Sequence, residues 1–379
     1  MRTCTPASTE RPPVSEVLSR RALGRATLAR QLLLDPVGWP VARVLEHLVG
    51  LQGQVPLVPH LALWDRLEPY DPAELDLLMS ERRVVRTQLM RTTIHTVTAA
   101  DALALRPLLQ PVLDRTFAST GWGQRLRGQD VAAVVAEATG LLGERPMSRA
   151  ALQRELARRH PDLDAEAVTF CVSYRVPWVQ PPPRGLWGAG AAAVMTTVAA
   201  WLRGIAAEPT SPEDLVMRYL GAFGPASVRD VQTWCGLTRL REVVDRLRPR
   251  LRRFRTEDGA ELFDVPDAPL PDPDIPSPVR FLAEYDNVTL SHADRSRVIG
   301  DGHHVPLQRG PGGWTGTVLV DGLVQATWAA RPAGAETVLT VRPTIPLTPA
   351  DRADVEEEGR RLLGFIAAER EHDVRFAEA

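Results

Sequence analysis

Hydrophobic spacing divides this chain into a long helical part and a shorter strand-rich part. Val41, Val44, Leu45, Leu48 and Val49 recur at the i, i+3, i+4, i+7, i+8 interval of one buried helix face, which predicts a helix over 41–51. Gly50, Gly53 and Pro56 then break helical geometry, so the backbone is expected to become extended near Leu51. An earlier helix runs from Leu23 to Leu34 and stops at Asp35-Pro36. Asp71-Pro72 reads as the cap and first turn of another. From Val84 the period falls to two. Arg91, Thr93, His95 and Val97 alternate with Thr92, Ile94 and Thr96, which predicts the hairpin wing of a winged helix with Arg91 and His95 on one face.

Two further helix-rich units follow. The first has helices over 131–142, around Leu152 and Leu156, and over 165–174, with the proline-bearing turn 180–185 as its wing. In the second, Ser211-Pro212-Glu213-Asp214 and Ser227-Val228-Arg229-Asp230 read as capped helix starts. A helix burying Leu240, Val243, Val244 and Leu247 comes next, then a hairpin turning at Asp258-Gly259. Beyond a proline-rich linker, 280–290, 316–328 and 336–344 alternate at strand period, and an acidic helix runs from Pro349 to about Glu371. The expected fold is α+β: tandem winged-helix units followed by a C-terminal β-barrel-like domain. Its divisions are a disordered extension (1–20), winged-helix units over 21–128, 129–205 and 206–266, a linker (267–279) and the β-rich domain (280–379).

A net charge of -2 gives no general support for nucleic-acid binding, but its distribution does. Eight arginines against Glu242 and Asp245 lie between Arg239 and Arg255, either a basic contact surface or a solvated helix face. All 45 lysine-or-arginine positions are arginine, a bias that points to a high-GC genome such as an actinobacterium's. It also removes any lysine Schiff-base chemistry apart from the N-terminal amine. Cys4, Cys171 and Cys235 form no CxxC pair, so a zinc or iron–sulfur site is not expected, and a reducing cytoplasm fits. The first ten residues lack the apolar core of a signal peptide. The Gly/Ala-rich run 185–202 reads as a core helix rather than a membrane span.

The stretch Leu51-Gln52-Gly53-Gln54-Val55-Pro56 carries the candidate chemistry. In extended backbone the two glutamines share a face. Two amides there offer carbonyl acceptors and NH2 donors whose capacity does not change with pH. That suits holding a water or a cationic sugar and does not suit strong-base chemistry; a solvated or capping pair is the plain alternative. Asp286, Asn287, His292, Asp294 and Arg295 read as a turn-stabilising network more than a metal set. His303-His304, adjacent on the chain, point apart in a strand. No phosphate-binding glycine loop or Ser/His/Asp order appears, and no cofactor or metal is expected.

Residues 47–56 with 59–67, then Met90-Arg91-Thr92-Thr93-Ile94-His95-Thr96-Val97-Thr98-Ala99-Ala100-Asp101, then Ala283-Glu284-Tyr285-Asp286-Asn287 with 291–299, resemble the AlkZ-like family of bacterial winged-helix DNA glycosylases. The resemblance runs in family order from about Leu23 to the C-terminal helix. It implies hydrolysis of the N-glycosidic bond of N7-alkylguanine, with Gln52 and Gln54 catalytic: Gln54 positioning the water, Gln52 supporting the sugar or sharing that water. Gln54, where a related subgroup carries Asp, resembles the self-resistance branch that acts on bulky natural-product adducts. Arg91, Thr93, His95, Arg295 and Arg297 are the candidate DNA contacts. The expected protein is a monofunctional, cytoplasmic monomer acting on double-stranded DNA with alkylguanine adducts or crosslinks, with no membrane partner. A winged-helix regulator or drug-sequestering protein is the rival reading.

Overall fold

The computed structural model describes residues 16–300 and 313–377. Its strands, in chain order, are β1 (Glu16–Leu18), β2 (Leu51–Gln52), β3 (Val84–Gln88), β4 (Ile94–Thr98), β5 (Trp178–Val179) and β6 (Thr196–Thr197). Then come β7 (Arg252–Thr256), β8 (Glu261–Asp264), β9 (Arg280–Ala283), β10 (Trp314–Val320), β11 (Leu323–Ala333), β12 (Glu336–Pro343) and β13 (Glu371–Phe376). Among the described residues they make three sheets, ordered β2-β4-β3-β5-β6, β1-β7-β8 and β13-β12-β11-β10-β9, with helices packed between them. The fold is mixed α+β.

The first sheet joins two stretches of chain that the hydrophobic pattern kept apart. β3 and β4 pair from Val84 opposite Thr98 to Gln88 opposite Ile94. Their connection is a 3-10 turn, Met90–Thr92, with Arg91 and Thr92 at φ of 53° and 58°. Arg91 therefore sits in a left-handed turn and not on the strand that carries His95, which corrects the expected alternation from 91 to 97. The hairpin is no free wing either, because β2 flanks it on one side and β5 on the other. The helices Ala132–Glu144, Arg149–Arg159 and Ala165–Arg175 stand where periodicity put them. The turn expected as their wing belongs to the loop between β5 and β6, and Val179 pairs with Thr87. The run 185–202 is helical only over Val198–Trp201. Gly185 and Gly188 lie at positive φ there, and a glycine-rich segment loses too much entropy to stay helical.

In the arginine-rich unit the local signals hold. Helices Pro212–Phe223, Val228–Cys235 and Leu240–Leu247 precede the β7–β8 hairpin, and Ser211–Asp214 and Ser227–Asp230 each close a capping box. β1 pairs parallel with β7, from Glu16 opposite Phe254 to Leu18 opposite Thr256. Ser19 then caps the helix Arg20–Arg30 by accepting from Ala22 N–H. The extension expected over 1–20 thus gives way to regular structure at Glu16; residues 1–15 lie outside the described residues.

The C-terminal sheet is open, not a closed barrel: its end strands β9 and β13 do not pair with each other. The helix Pro349–Ile366 covers one face with Val355, Leu362 and Leu363 against Phe281 and Leu339, so a second layer of strands is not needed to bury that face. β13 pairs parallel with β12 just beyond this helix, and the strand expected over 280–290 stops at Ala283 before two short helices. Two fully buried ion pairs tie these parts together. Arg30 donates to Asp264 at 2.5 and 2.8 Å, and Arg66 to Asp286 at 2.9 and 2.8 Å. Among the described residues no helix is long and apolar enough to cross a membrane.

Candidate active site

The glutamine stretch is set by how the helix before it ends. That helix covers Val41–His47, shorter than its apolar repeat. Leu48 and Val49 remain buried, but Val49 turns to φ 56° and Gly50 to φ 91°. Only glycine serves at position 50, because a Cβ there would lie 2.3 Å from Val97 Cγ1. The reversal lays β2 along β4, with Leu51 opposite Thr96 and Gln52 opposite His95, and Gly53 N–H donates to Ile94 O at 2.7 Å. The extended backbone expected at Gln52 is present.

Gln52 is 6% exposed, and its Oε1 has no partner among the described residues. Its register neighbour His95 is buried, with Nδ1 3.0 Å from Thr93 O. Nδ1 therefore carries the hydrogen it donates there, and Nε2 is left as an acceptor without a partner among the described residues. Burial, reinforced by the Arg91 charge, pushes His95 down to about 3, so the ring is neutral at physiological pH. Arg91 donates through Nη1 to Trp234 O at 3.3 Å, its Nη2 has no partner among the described residues, and burial lowers the guanidinium to about 10. Two acceptors and one donor are thus left open around one short length of sheet.

Gln54 is exposed, and its Oε1 accepts the Ile94 N–H at 3.2 Å. The side chain stands in for a backbone carbonyl, since Gly53 O is drawn away by Arg86 Nη2 at 2.8 Å. Arg86 also donates to Pro56 O at 3.2 Å and Gln180 Oε1 at 3.3 Å, so one guanidinium fastens both ends of the Gly53–Pro56 turn to the β5–β6 loop. Burial, and secondarily Arg184, lowers Arg86 to about 9. Sequence reasoning missed Arg86; its only signal was a charged residue inside the apolar alternation of β3.

The remaining candidates divide. Thr93 Oγ1 donates to Met90 O at 3.2 Å and closes the β3–β4 turn. Arg295 is exposed beside a short helix. Arg297 is 6% exposed and donates to Pro225 O at 2.9 Å, so its guanidinium joins chain segments and does not face solvent; this corrects its expected place on a DNA-facing surface. Asp286 is spent on Arg66, and Asn287 Nδ2 donates to Gly50 O at 2.9 Å, which docks this third motif block directly onto the glutamine turn. His292 Nε2 lies 3.0 Å from Phe223 O, and burial pushes it to about 3. Among the described residues no group of three or more His, Cys, Asp or Glu is placed to hold a metal; His303 and His304 lie outside them.

The profile of the family described as "DNA glycosylase AlkZ-like" matches residues 45–365, a span that takes in all three blocks. The chain belongs to the AlkZ-like DNA glycosylase family. Streptomyces sahachiroi DNA glycosylase AlkZ has a similar structure, with a TM-score of 0.74 at 19% identity, covering 95% of this chain and 100% of that one. At that identity the likeness is one of fold. No curated protein sequence matches. As an AlkZ-like enzyme the protein is a DNA glycosylase, and the groups described around its glutamine turn are neutral amides, a neutral imidazole and arginines. Such a set orients water and supplies fixed dipoles; it does not abstract protons strongly.

Proposed function

We propose that this AlkZ-like glycosylase hydrolyses the N-glycosidic bond of bulky N7-alkylguanines, or unhooks the crosslinks they form, and so protects its host from an alkylating natural product. The observation that carries this reading is Gln52: a buried amide carbonyl with no partner among the described residues, opposite a histidine held neutral. Alkylation at N7 makes the purine cationic. The C1′–N9 bond then breaks with its electron pair going to N9, which leaves a neutral base without a strong general acid. Water oxygen bonds to C1′ of the oxocarbenium-like sugar, and its proton passes to solvent. A water donating one hydrogen to Gln52 Oε1 and the other to His95 Nε2 turns a lone pair outward. Gln54 keeps its NH2 free while its carbonyl holds Ile94, so the water-holding role read for Gln54 passes to Gln52, and Gln54 faces sugar or lesion.

The duplex is held as a monomer complex through phosphates. Arg250, Arg252 and Arg253 are exposed around the β7–β8 hairpin, which we take as the wing of a winged-helix unit, and Arg295 adds a further exposed cation. With no lysine in the chain, the abasic product is left uncleaved. The test is incubation with drug-alkylated duplex, followed by alkali to reveal abasic sites. Wild type should yield them, and the Gln52→Ala, Gln54→Ala double variant should not. Tight binding with no abasic product would replace the enzyme by a regulator or sequestering protein.

A further inference from the structure

A cavity of about 370 Å³ opens beside Gln54, between the end of the β3–β4 hairpin, the helix Ala165–Arg175 and the β5–β6 loop. Its size lies within the range of roughly 300–1,000 Å³ common for small-molecule sites. Gln88, Ser173, Trp178, Gln180 and Met195 are its buried part, Phe170 is half-buried in its wall, and Arg149 is exposed at the edge.

Gln88 carries the informative atom. It pairs with Ile94, the residue whose N–H Gln54 holds, so Gln88 and Gln54 flank one rung of the sheet. Gln88 Nε2 donates to Thr92 O at 2.9 Å, which fixes the amide's orientation. Oε1 is then buried with no partner among the described residues, although Gln88 itself is only 7% exposed. A buried carbonyl in that state is completed when a ligand N–H reaches it. The charges are one-sided. Arg149 and Arg184 line the cavity and no Asp or Glu does. Arg149 lies over the Phe170 ring at 4.5 Å, Arg184 donates to Ala191 O at 2.6 Å, and neither makes an ion pair among the described residues.

Trp122 stacks on the Phe170 ring and Arg149 lies over it, so the groups left to a ligand are the Gln88 acceptor and the two cations; a ligand that answers them has an edge of N–H donors and a negative charge beside it. We propose that the cavity receives the damaged guanine nucleotide turned out of the duplex. Gln88 Oε1 accepts from the N1–H and 2-amino edge, and the adjoining phosphodiester lies against Arg149 and Arg184. Guanine N7 is on the far side of the ring from the 2-amino group, so an alkyl substituent of any bulk faces the mouth. This proposal rests on the glycosylase reading, because it is the sugar of that nucleotide that Gln54 would adjoin.

The test uses the full chain and a duplex with one N7-methylguanine and 2-aminopurine as its 3′ neighbour, whose fluorescence rises when stacking is lost. Wild type should raise the fluorescence and release 7-methylguanine faster than 7-methyladenine. Gln88→Leu, nearly isosteric but without the acceptor, should lower that selectivity ratio roughly tenfold, the scale of one lost hydrogen bond. If Gln88→Leu misfolds, exposed Arg149→Ala serves: it should raise the protein concentration giving half-maximal fluorescence. Abasic product with flat fluorescence overturns the pocket and leaves the glycosylase. Raised fluorescence with no abasic product does the reverse. An unchanged ratio in a Gln88→Leu protein of wild-type melting temperature removes Gln88 from the site, and an unchanged half-maximal concentration in Arg149→Ala removes the phosphate contact.

Discussion

Among the inward-facing arginines, buried Arg30, Arg66 and Arg86 and half-buried Arg91 fall into two regions and two kinds. Arg30 and Arg66 each face a fully buried carboxylate in two parallel hydrogen bonds, and those pairs lie where the first helices meet the arginine-rich hairpin and the C-terminal sheet. Arg86 and Arg91 lie around the glutamine turn and find uncharged oxygens only. Both kinds are costly to bury, yet only the first is repaid locally. The difference separates what holds the molecule together from what it keeps ready. Around Gln52 the fold tolerates open acceptors and uncompensated positive charge, a combination that suits an approaching polyanion and an oriented water better than it suits stability.

The largest effect should come from breaking a pair of the first kind. Asp286→Ala leaves Arg66 charged and buried with Ala62 O as its remaining hydrogen-bond partner among the described residues, beside the buried Asp65 carboxyl, and should cost about 3–5 kcal/mol in chemical denaturation. A loss well under that range would mean that the Arg66 region is wetter than its burial implies, and the contrast would blur.

Gln52→Ala tests the other side. Removing a positioned polar group from a preorganised site costs about 10²–10³ in rate. Because that carbonyl has no partner among the described residues, unfolding should barely move or shift in favour of the variant. A Gln52→Ala protein that turns over normally but unfolds early would assign Gln52 to structure and erase the comparison.

The two regions also differed in how far the amino-acid order revealed them. Ser211, Ser227 and the Asp258-Gly259 turn were legible because a cap or a tight turn closes within four residues. Gly50 and Pro56 likewise announced that the glutamines leave the helix. What stayed hidden was decided by partners remote in the chain. β1 is three residues long and exists through β7, more than two hundred positions away. Arg297 reads as a surface cation until Pro225 O claims it, and Arg86 and Gln88 acquire meaning only when the 180s loop closes over them. The barrel expectation failed similarly: strand period says how many strands there are, not whether a helix will cover their face.

Acid should act through the histidines of both regions. His95 beside the glutamine and His292 against Phe223 O are held near 3, whereas an unfolded histidine titrates near 6.5. Below pH 6.5 the unfolded chain therefore takes up protons that the fold refuses, so stability is full above 6.5 and falls as pH drops toward 3. His95→Asn should flatten part of this slope in denaturation curves between pH 7 and 4. Glycosylase rate on a pre-alkylated duplex should meanwhile stay level from pH 8 to 6 in wild type, since amides and a neutral imidazole do not change charge there. A rate that falls with a midpoint near 6.5 would mean that His95 titrates normally and is not buried as described.

The smallest effect marks the baseline against which both regions stand out. Arg246 meets Glu213 at 2.6 Å, as close as the buried pairs, but its side chain is 60% exposed. Water screens such a pair and two flexible side chains lose freedom in forming it, so Arg246→Ala should change stability by less than about 1 kcal/mol. The Glu213 carboxyl, lowered chiefly by its hydrogen bond from Arg246, should return toward the ordinary range in a carboxyl-resolved NMR titration. If Arg246→Ala instead weakened binding to undamaged duplex, with a shallower salt dependence, its role would be phosphate contact rather than ion pairing, and the basic unit would reach DNA with its third helix as well as its hairpin.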